Sequence, residues 1–206
     1  MNRLTLLGVL ATVFLVGFLG RAIAQEMVEE PSTGKKFPAQ VSFTYNDSTY
    51  NLTLTGVAVR KKFVFKVYGV AHYMETSAKM SKEEAKKAVL TDGKAKQIVM
   101  DFARGVGVGK IQGAYRESFK KNATEKELAE IQPLVDQFIG YFDKDVKENE
   151  QYVLRWLPGG VVVTIVQGEE KPAITNETFA RVLWSIWLGD KSIVKRDQLI
   201  ERLIAE

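Results

Sequence analysis

The chain has 206 residues, of which 46% are hydrophobic and 26% charged, a balance typical of a globular protein and not of a disordered one. It has no cysteine and one histidine, which argues against thiol catalysis, disulfides and metal sites built on cysteine or several histidines, so no metal or other cofactor is expected. The formal charge of +4 falls to +2 without the two arginines of residues 1–24, and lysines interleaved with glutamates predict a solvated surface rather than a nucleic-acid interface.

Residues 1–24 have the pattern of a secretory signal peptide. Met1 to Arg3 is a short positive start, Leu4 to Leu19 is largely apolar, and Ala22-Ile23-Ala24 has the small residues that precede a cleavage point. We predict cleavage after Ala24 and export to the periplasm or out of the cell. The alternative is an uncleaved anchor, because the apolar stretch is slightly long and Arg21 lies close to the cut. Membrane contact is expected only in that case.

The folded domain is predicted to span residues 39–206. Residues 25–38 are charged, contain two prolines and one glycine and show no apolar period, so we expect a flexible lead-in. From Val41 to Leu54, apolar and polar residues alternate on both sides of Asn46-Asp47-Ser48, which predicts a β-hairpin with a tight turn. Gly56 is predicted to break the second strand.

The rest of the chain combines strands with helices in series. Two capping boxes, Ser81 with Glu84 and Thr124 with Glu127, predict two helix starts. The segment from Phe63 to Met74 is rich in aromatic and β-branched residues and is predicted to be a central strand. Further strands are predicted at 96–103, 152–156 and 161–166, further helices at 110–121, 177–188 and 197–204, and the helix after Thr124 is expected to run towards Val146.

This order of elements predicts an α+β domain. Runs of strands interrupted by helices, without a strict alternation of strand and helix, favour one large antiparallel sheet covered by a layer of helices. An apolar seam is expected between the two layers. Polar side chains that reach into such a seam would orient a ligand there.

Arg60 is the first candidate for a ligand contact. It follows the apolar residues Val57 to Val59 and precedes Lys61-Lys62, so it could belong to an exposed basic turn. A guanidinium directed inward, with no internal acid, would instead imply an anionic ligand such as a carboxylate or an enolate.

The helix predicted at 110–121 offers a second pair of candidates. Tyr115, Phe119 and Asn122 are spaced four and three residues apart, which places them on one stripe facing the sheet. Phe119 is interpreted as core. A buried phenol and a buried amide need partners, so Tyr115 and Asn122 could contact a ligand, while a capping role for Asn122 at the helix end is the alternative.

Three further features have simple structural interpretations. His72 has no second histidine with which to share a metal, so a packed or surface histidine is expected. Ser185 lies among large apolar residues of a helix, where its hydroxyl can bond the preceding turn. The glycines of Gly105-Val106-Gly107-Val108-Gly109 lack the spacing of a phosphate-binding loop and predict a connection between a strand and a helix.

Several segments together resemble the chalcone isomerase-like family. They are Gly56-Val57-Ala58-Val59-Arg60, Phe65-Lys66-Val67-Tyr68, Tyr73 and Trp187-Leu188-Gly189-Asp190. The likeness spans nearly all of the chain after the leader and is greatest to the bacterial exported branch and to the plant fatty-acid-binding members. It implies an open-faced β-sandwich, in which a large antiparallel sheet carries a helical layer.

The resemblance also implies roles for individual residues. Arg60 matches the arginine that fixes the anionic ligand or substrate, and Tyr115 with Asn122 matches the Tyr-x6-Asn helix pair of the family. Ser185 falls where isomerases have threonine or serine. Tyr68 lies near the position where isomerases have threonine and fatty-acid binders have tyrosine, which favours binding over catalysis. An unbroken strand would hold Arg60 and Tyr68 about 26 Å apart, so a shared site requires a turn or bulge.

Three functions follow from these observations. The favoured one is a non-catalytic protein that binds a fatty acid or similar amphiphilic anion through Arg60, Tyr68, Tyr115, Asn122 and Ser185. The first alternative is chalcone-flavanone isomerisation, an intramolecular ring closure in which Arg60, Tyr115 and Asn122 would be catalytic. The second is a non-catalytic module that binds a protein partner. A filled seam favours that module, whereas an apolar cavity with Arg60 at its floor favours ligand binding.

Overall fold

The computed structural model describes residues 25–76 and 78–205. The predicted signal peptide, residues 1–24, lies outside them, so its cleavage and the export of the chain stay predictions. Among the residues described, no helix is long and apolar enough to cross a membrane.

The first described segment is a β-hairpin, not the flexible lead-in that was expected for residues 25–38. Strands β1 (Met27–Glu30) and β2 (Lys35–Pro38) pair antiparallel. The buried carboxylate of Glu30 closes their turn by accepting hydrogen bonds from the backbone N–H groups of Ser32 and Thr33 and from the Thr33 hydroxyl. The prediction was wrong because packing on the sheet and local capping, rather than an apolar period, stabilise this hairpin.

The remaining eight strands form one antiparallel sheet. The strands are β3 (Gln40–Tyr45), β4 (Ser48–Lys62), β5 (Phe65–Met74), β6 (Lys96–Phe102), β7 (Gln151–Leu157), β8 (Val161–Val166), β9 (Glu169–Glu170) and β10 (Ile174–Thr175). Their order in the sheet is β10-β8-β7-β6-β5-β4-β3, with β9 paired to β8. The long hairpin of β4 and β5 lies near one end of this order, followed by β6 and β7.

Five helices and a terminal 3₁₀ turn are described besides the strands. Both capping boxes are present as predicted, with the Ser81 and Thr124 hydroxyls each accepting from the backbone N–H three residues on. The helix after Thr124 ends at Gly140, earlier than the expected Val146. The helices are α1 (Lys82–Ala88), α2 (Val108–Asn122), α3 (Glu125–Gly140), α4 (Glu177–Leu188) and α5 (Arg196–Ile200), followed by the 3₁₀ turn Glu201–Leu203.

Apolar side chains are buried on both faces of the sheet. One face packs against the helices in a large cluster that includes Ile98, Leu154 and Trp156. The other face forms a smaller cluster with residues such as Leu54, together with Phe37 of the β1–β2 hairpin. This arrangement confirms the predicted α+β fold, with a large antiparallel sheet and a helical layer.

Gly56 does not break its strand, contrary to the prediction. β4 continues through it with a register shift between Leu54 and Gly56. The backbone of α5 crosses so closely that a Cβ atom at Gly56 would lie 2.0 Å from the carbonyl oxygen of Gln198 and 2.7 Å from the carbonyl carbon of Leu199. Glycine is therefore required here by the approach of a helix, not by a turn.

His72 is a packed core histidine, one of the two readings that the sequence favoured. It is fully buried, and its Nε2 accepts a hydrogen bond from Trp184 Nε1 at 3.3 Å. The proton of the neutral ring therefore lies on Nδ1, which donates to the Thr55 hydroxyl at 2.6 Å. Thr55 in turn donates to the carbonyl of Leu199 at 2.6 Å, so this network joins β4, β5, α4 and α5. Burial, and secondarily the charge of Lys96, lowers the pKa of His72 to about 3.

We expect the protein to lose stability between about pH 7 and pH 5 because of His72. The unfolded chain binds a proton at a pKa of about 6.5 and the folded chain does not until about pH 3, so acidification favours unfolding. The expected loss of unfolding free energy at pH 5 is about 2 kcal/mol. Urea titrations at the two pH values measure it.

A glutamine at this position provides the matched control. His72→Gln does not titrate and keeps an acceptor near Trp184, so its stability should change little over the same interval. The titration of carboxyl groups does not obscure the comparison, because most of it lies below about pH 5. An equal pH dependence in both proteins would contradict the assignment.

Candidate functional site

The hairpin of β4 and β5 brings Arg60 and Tyr68 together. The strands are joined by a two-residue turn, Phe63-Val64, and Arg60 and Tyr68 are directly paired across them. A register shift follows Arg60, so the structure contains both the turn and the bulge that a shared site requires. Eight residues of sequence separation are thus reduced to one interstrand spacing.

A cavity of about 930 Å³ lies between this hairpin and the helices. Its volume is near the upper end of the range for small-molecule sites. Arg60, Tyr68 and Tyr115 all line it. Its apolar wall includes Val67, Met100, Phe102, Ile111, Ile186 and Trp187. Its charged lining consists of five basic side chains and one carboxylate: Arg60, Lys62, Arg104, Lys110, Lys121 and Glu117. That excess of positive charge favours an anion.

Arg60 is partly buried in the wall of the cavity. Its Nη1 donates a hydrogen bond to the carbonyl oxygen of Ile193 at 2.7 Å, which fixes one side of the guanidinium. Within residues 25–76 and 78–205, no carboxylate lies within 4.0 Å of it to form an ion pair. The guanidinium has five N–H donors, so donors are left for an anion from outside the chain.

Tyr68 is a buried phenol beside this guanidinium. Its oxygen accepts a hydrogen bond from Trp187 Nε1 at 3.0 Å. Burial raises the pKa of Tyr68 to about 12, although the bond from Trp187 and the charge of Arg60 both oppose the rise. Tyr68 is therefore protonated at neutral pH, and its hydroxyl hydrogen is available to an oxygen of a ligand.

Two more buried phenols line the same cavity. Tyr115 stacks on Phe142 at 4.8 Å between ring centroids, and its hydroxyl donates a weak hydrogen bond to the Met100 sulfur at 4.0 Å. Burial, and then the neighbouring Tyr68 and Tyr152, raises the pKa of Tyr115 well above its ordinary value. The Tyr152 hydroxyl is buried with no hydrogen-bond partner in the described part of the chain.

Tyr152 is the site residue that the sequence analysis missed. It was read only as one of three alternating strand residues, with Leu154 and Trp156. The structure places it on β7, with 1% of its surface exposed, in the wall of the cavity. A signal was present in the alternation, because a phenol on the buried face of a strand must find a polar partner.

Asn122 and Ser185 do not line the cavity that contains Arg60. They line a separate, smaller depression of about 260 Å³. Asn122 Nδ2 donates to the carbonyl of Ser118 at 2.9 Å, and Ser185 Oγ donates to the carbonyl of Arg181 at 2.7 Å. Both side chains thus bond the preceding turn of their own helix, which was the structural interpretation of Ser185, whereas the alternative for Asn122 was a capping role at the helix end.

The glycine-rich segment connects β6 to α2, as predicted. Val106 forms an isolated bridge with Val146, and Gly107 is the N-cap of α2. The carboxylate of Asp145 accepts from the backbone N–H of Val108 at 2.8 Å. The side chain of Asp145 therefore caps the start of α2.

The protein is thus an open-faced β-sandwich, in which a helical layer covers one sheet and a ligand-sized cavity lies between the hairpin and the helices. A family model described as chalcone isomerase-like matches residues 31–200, and the chain belongs to that family. The crystal structure of a fatty-acid binding protein from Arabidopsis thaliana is similar, with a TM-score of 0.70 and 20% sequence identity, covering 86% of this chain and 97% of that chain. No curated protein matches the sequence significantly. The predicted family and fold are confirmed.

Proposed function

We propose that the protein is a non-catalytic binding protein for a fatty acid or a similar amphiphilic anion. One observation carries the proposal: Arg60 lines a largely apolar cavity of about 930 Å³ and has no ion-pair partner among the described residues. The carboxylate head group would accept charge-assisted hydrogen bonds from Arg60 and a further bond from Tyr68. The name of the similar plant protein, a fatty-acid binding protein, supports the same class of ligand.

The buried phenols support an oxygen-containing head group. Among the described residues the Tyr152 hydroxyl has no partner, and the Tyr115 hydroxyl bonds only the Met100 thioether, at 4.0 Å. Unpaired buried hydroxyls are costly, so a ligand oxygen or a water bound with it would satisfy them. Since all three phenols stay protonated at neutral pH, they would donate to the ligand rather than repel its charge.

The apolar wall would supply most of the affinity. Each buried methylene contributes about 0.8 kcal/mol, so a chain of about a dozen exceeds any single polar contact. Arg60 would orient the ligand and select for a negative head group. Asn122 lines a different depression, so it belongs neither to the ligand contacts of this proposal nor to a catalytic set around Arg60.

A titration of the purified, delipidated chain with dodecanoate and with its methyl ester tests this proposal. The two ligands share an apolar tail, but the ester cannot accept charge-assisted hydrogen bonds. We expect the acid to bind at least about tenfold more tightly. Equal affinities would contradict the role of Arg60, and no binding of either would contradict the use of the cavity.

The isomerase alternative is tested on the same preparation. We expect no acceleration of chalcone cyclisation above the rate in buffer. A cyclisation rate that rises with protein concentration and is abolished in Arg60→Ala would contradict a non-catalytic role. Export of the chain is part of the proposal, and N-terminal sequencing of the protein from the producing cell tests cleavage after Ala24.

A further inference from the structure

The turn between β4 and β5 exposes three consecutive large apolar side chains. Phe63, Val64 and Phe65 have 87%, 85% and 54% of their surface exposed, and they account for three of the four exposed large hydrophobic residues in the described part of the chain. Scattered single exposures are ordinary, but a contiguous apolar projection marks an interaction surface. We call these three residues the apolar tip.

Turn formation does not explain the apolar tip. Two-residue hairpin turns favour asparagine, aspartate and glycine, which adopt a positive φ at little cost. The other two-residue turns of the sheet contain these residue types: Asn46-Asp47 has φ values of 45° and 62°, and Gln167-Gly168 has φ values of 50° and 85°. At the apolar tip, Phe63 has a φ of 54°, a conformation that is unfavourable for a bulky aromatic residue. The local backbone would be more stable with polar turn residues, so Phe63 serves a role other than turn formation.

Basic side chains surround the apolar tip. Lys61, Lys62 and Lys66 flank it on the two strands and are exposed. The guanidinium of Arg104 lies over the Phe65 ring, 4.6 Å from its centroid. From residue 60 to residue 74 the hairpin contains no acidic residue. An apolar projection with a basic rim is complementary to the surface of a membrane that contains anionic lipids.

The apolar tip is also part of the cavity opening. Phe63 and Phe65 line the cavity, although most of the Phe63 ring is exposed to solvent. Arg60 and Tyr68 lie on the same hairpin, a few residues from the turn. A surface that holds the tip would therefore face the opening through which a ligand enters.

We propose that the apolar tip inserts into the interface of a bilayer containing anionic phospholipids, with Lys61, Lys62, Lys66 and Arg104 contacting the head groups. This docking places the cavity opening against the membrane. It does not depend on the identity of the ligand in the cavity, nor on whether residues 1–24 are cleaved.

Co-sedimentation with lipid vesicles tests the proposal. All described helices and strands, and both apolar clusters, lie between Met27 and Ile204, so a chain starting at Gln25 keeps the whole described fold. This chain is used because the apolar stretch from Leu4 to Leu19 would itself bind lipid. We expect it to bind vesicles of phosphatidylcholine mixed with phosphatidylglycerol, and to bind pure phosphatidylcholine at least about tenfold more weakly.

Two variants remove the two parts of the surface. Phe63→Asn with Val64→Gly restores ordinary turn chemistry, so its melting temperature should be unchanged or higher, while vesicle affinity should fall at least about tenfold. Lys61→Glu with Lys62→Glu should lower affinity for the mixed vesicles by at least about tenfold. Met27→Asn, which removes the exposed hydrophobic residue outside the tip, and Lys87→Glu with Lys94→Glu, at the other end of β5 and β6, should change little.

A tryptophan in the tip reports insertion directly. The three native tryptophans are buried, so Phe63→Trp provides one exposed indole. Its fluorescence should be quenched by brominated lipids in the mixed vesicles.

No binding of the wild-type chain to the mixed vesicles would overturn the proposal and leave the tip as a candidate surface for a protein partner. Binding that survives Phe63→Asn with Val64→Gly, or the absence of quenching, would overturn insertion. Fatty-acid binding is measured separately, in solution, so either proposal can fail alone.

Discussion

Replacing Arg60 with alanine should weaken dodecanoate binding by about 10- to 100-fold. The estimate follows from the loss of hydrogen bonds between a charged donor and a charged acceptor, which contribute about 1.5–3 kcal/mol. The domain should remain folded, because the change removes one hydrogen bond to the Ile193 carbonyl, with an expected cost of about 1 kcal/mol. Isothermal titration calorimetry and a urea melt measure the two effects.

One further substitution separates the planar donors of the Arg60 guanidinium from its charge, and a second is a control at another arginine. Arg60→Lys keeps the positive charge but not the planar pair of donors, so its affinity should lie between those of the wild type and the alanine variant. Arg116→Ala removes an exposed arginine of α2 that does not line the cavity, and its affinity should match the wild type. If Arg60→Ala binds as tightly as Arg116→Ala, Arg60 does not hold the head group.

Gly56→Ala should destabilise the domain by about 3 kcal/mol or more. The new Cβ would lie 2.0 Å from the Gln198 carbonyl oxygen, a backbone atom that no side-chain rotation can move. Relief requires α5 to shift, and that shift would also break the bond from Thr55 to the Leu199 carbonyl. Thermal melting should therefore show a midpoint lower by about 6–12 °C, or the chain should fail to fold.

Gly113→Ala is the matched glycine control. Gly113 lies within α2, and a Cβ atom there would have no neighbour within 4 Å. Alanine in a helix interior is more favourable than glycine by about 1 kcal/mol, so this variant should be slightly more stable than the wild type. A Gly56→Ala protein with the melting midpoint of the wild type would contradict the close packing of α5 on β4.

The elements that the sequence predicted well are those with local causes. The Asn46-Asp47 turn, the alternation on either side of it and the two capping boxes depend on residues within a few positions of one another. The β1–β2 hairpin lacks an apolar period, and it is stabilised by the packing of Phe37 in the core and by the turn that the buried Glu30 closes. Gly56 was misread for the same reason, since the helix that requires it lies more than a hundred residues later.

The candidate residues of the site also fall into two groups, those that line the cavity and those that do not. Arg60, Tyr68 and Tyr115 line the cavity, while Asn122 and Ser185 line another depression. Helical spacing put Tyr115 and Asn122 on one stripe, but a stripe of two turns reaches beyond the cavity. Tyr152 had only its place in the strand alternation to distinguish it, and in the folded chain its hydroxyl has no partner among the described residues.

The sequence by itself determined the α+β class, the family, the order of most elements and the residue types able to hold an anion. Periodicity, capping and turn chemistry carry that information because they act between near neighbours. The tertiary structure decided which of those residues share a cavity, which glycine admits a helix, and that Phe63 and Val64 project into solvent. Each of these depends on contacts or exposure set by packing between distant segments, which a linear pattern does not contain.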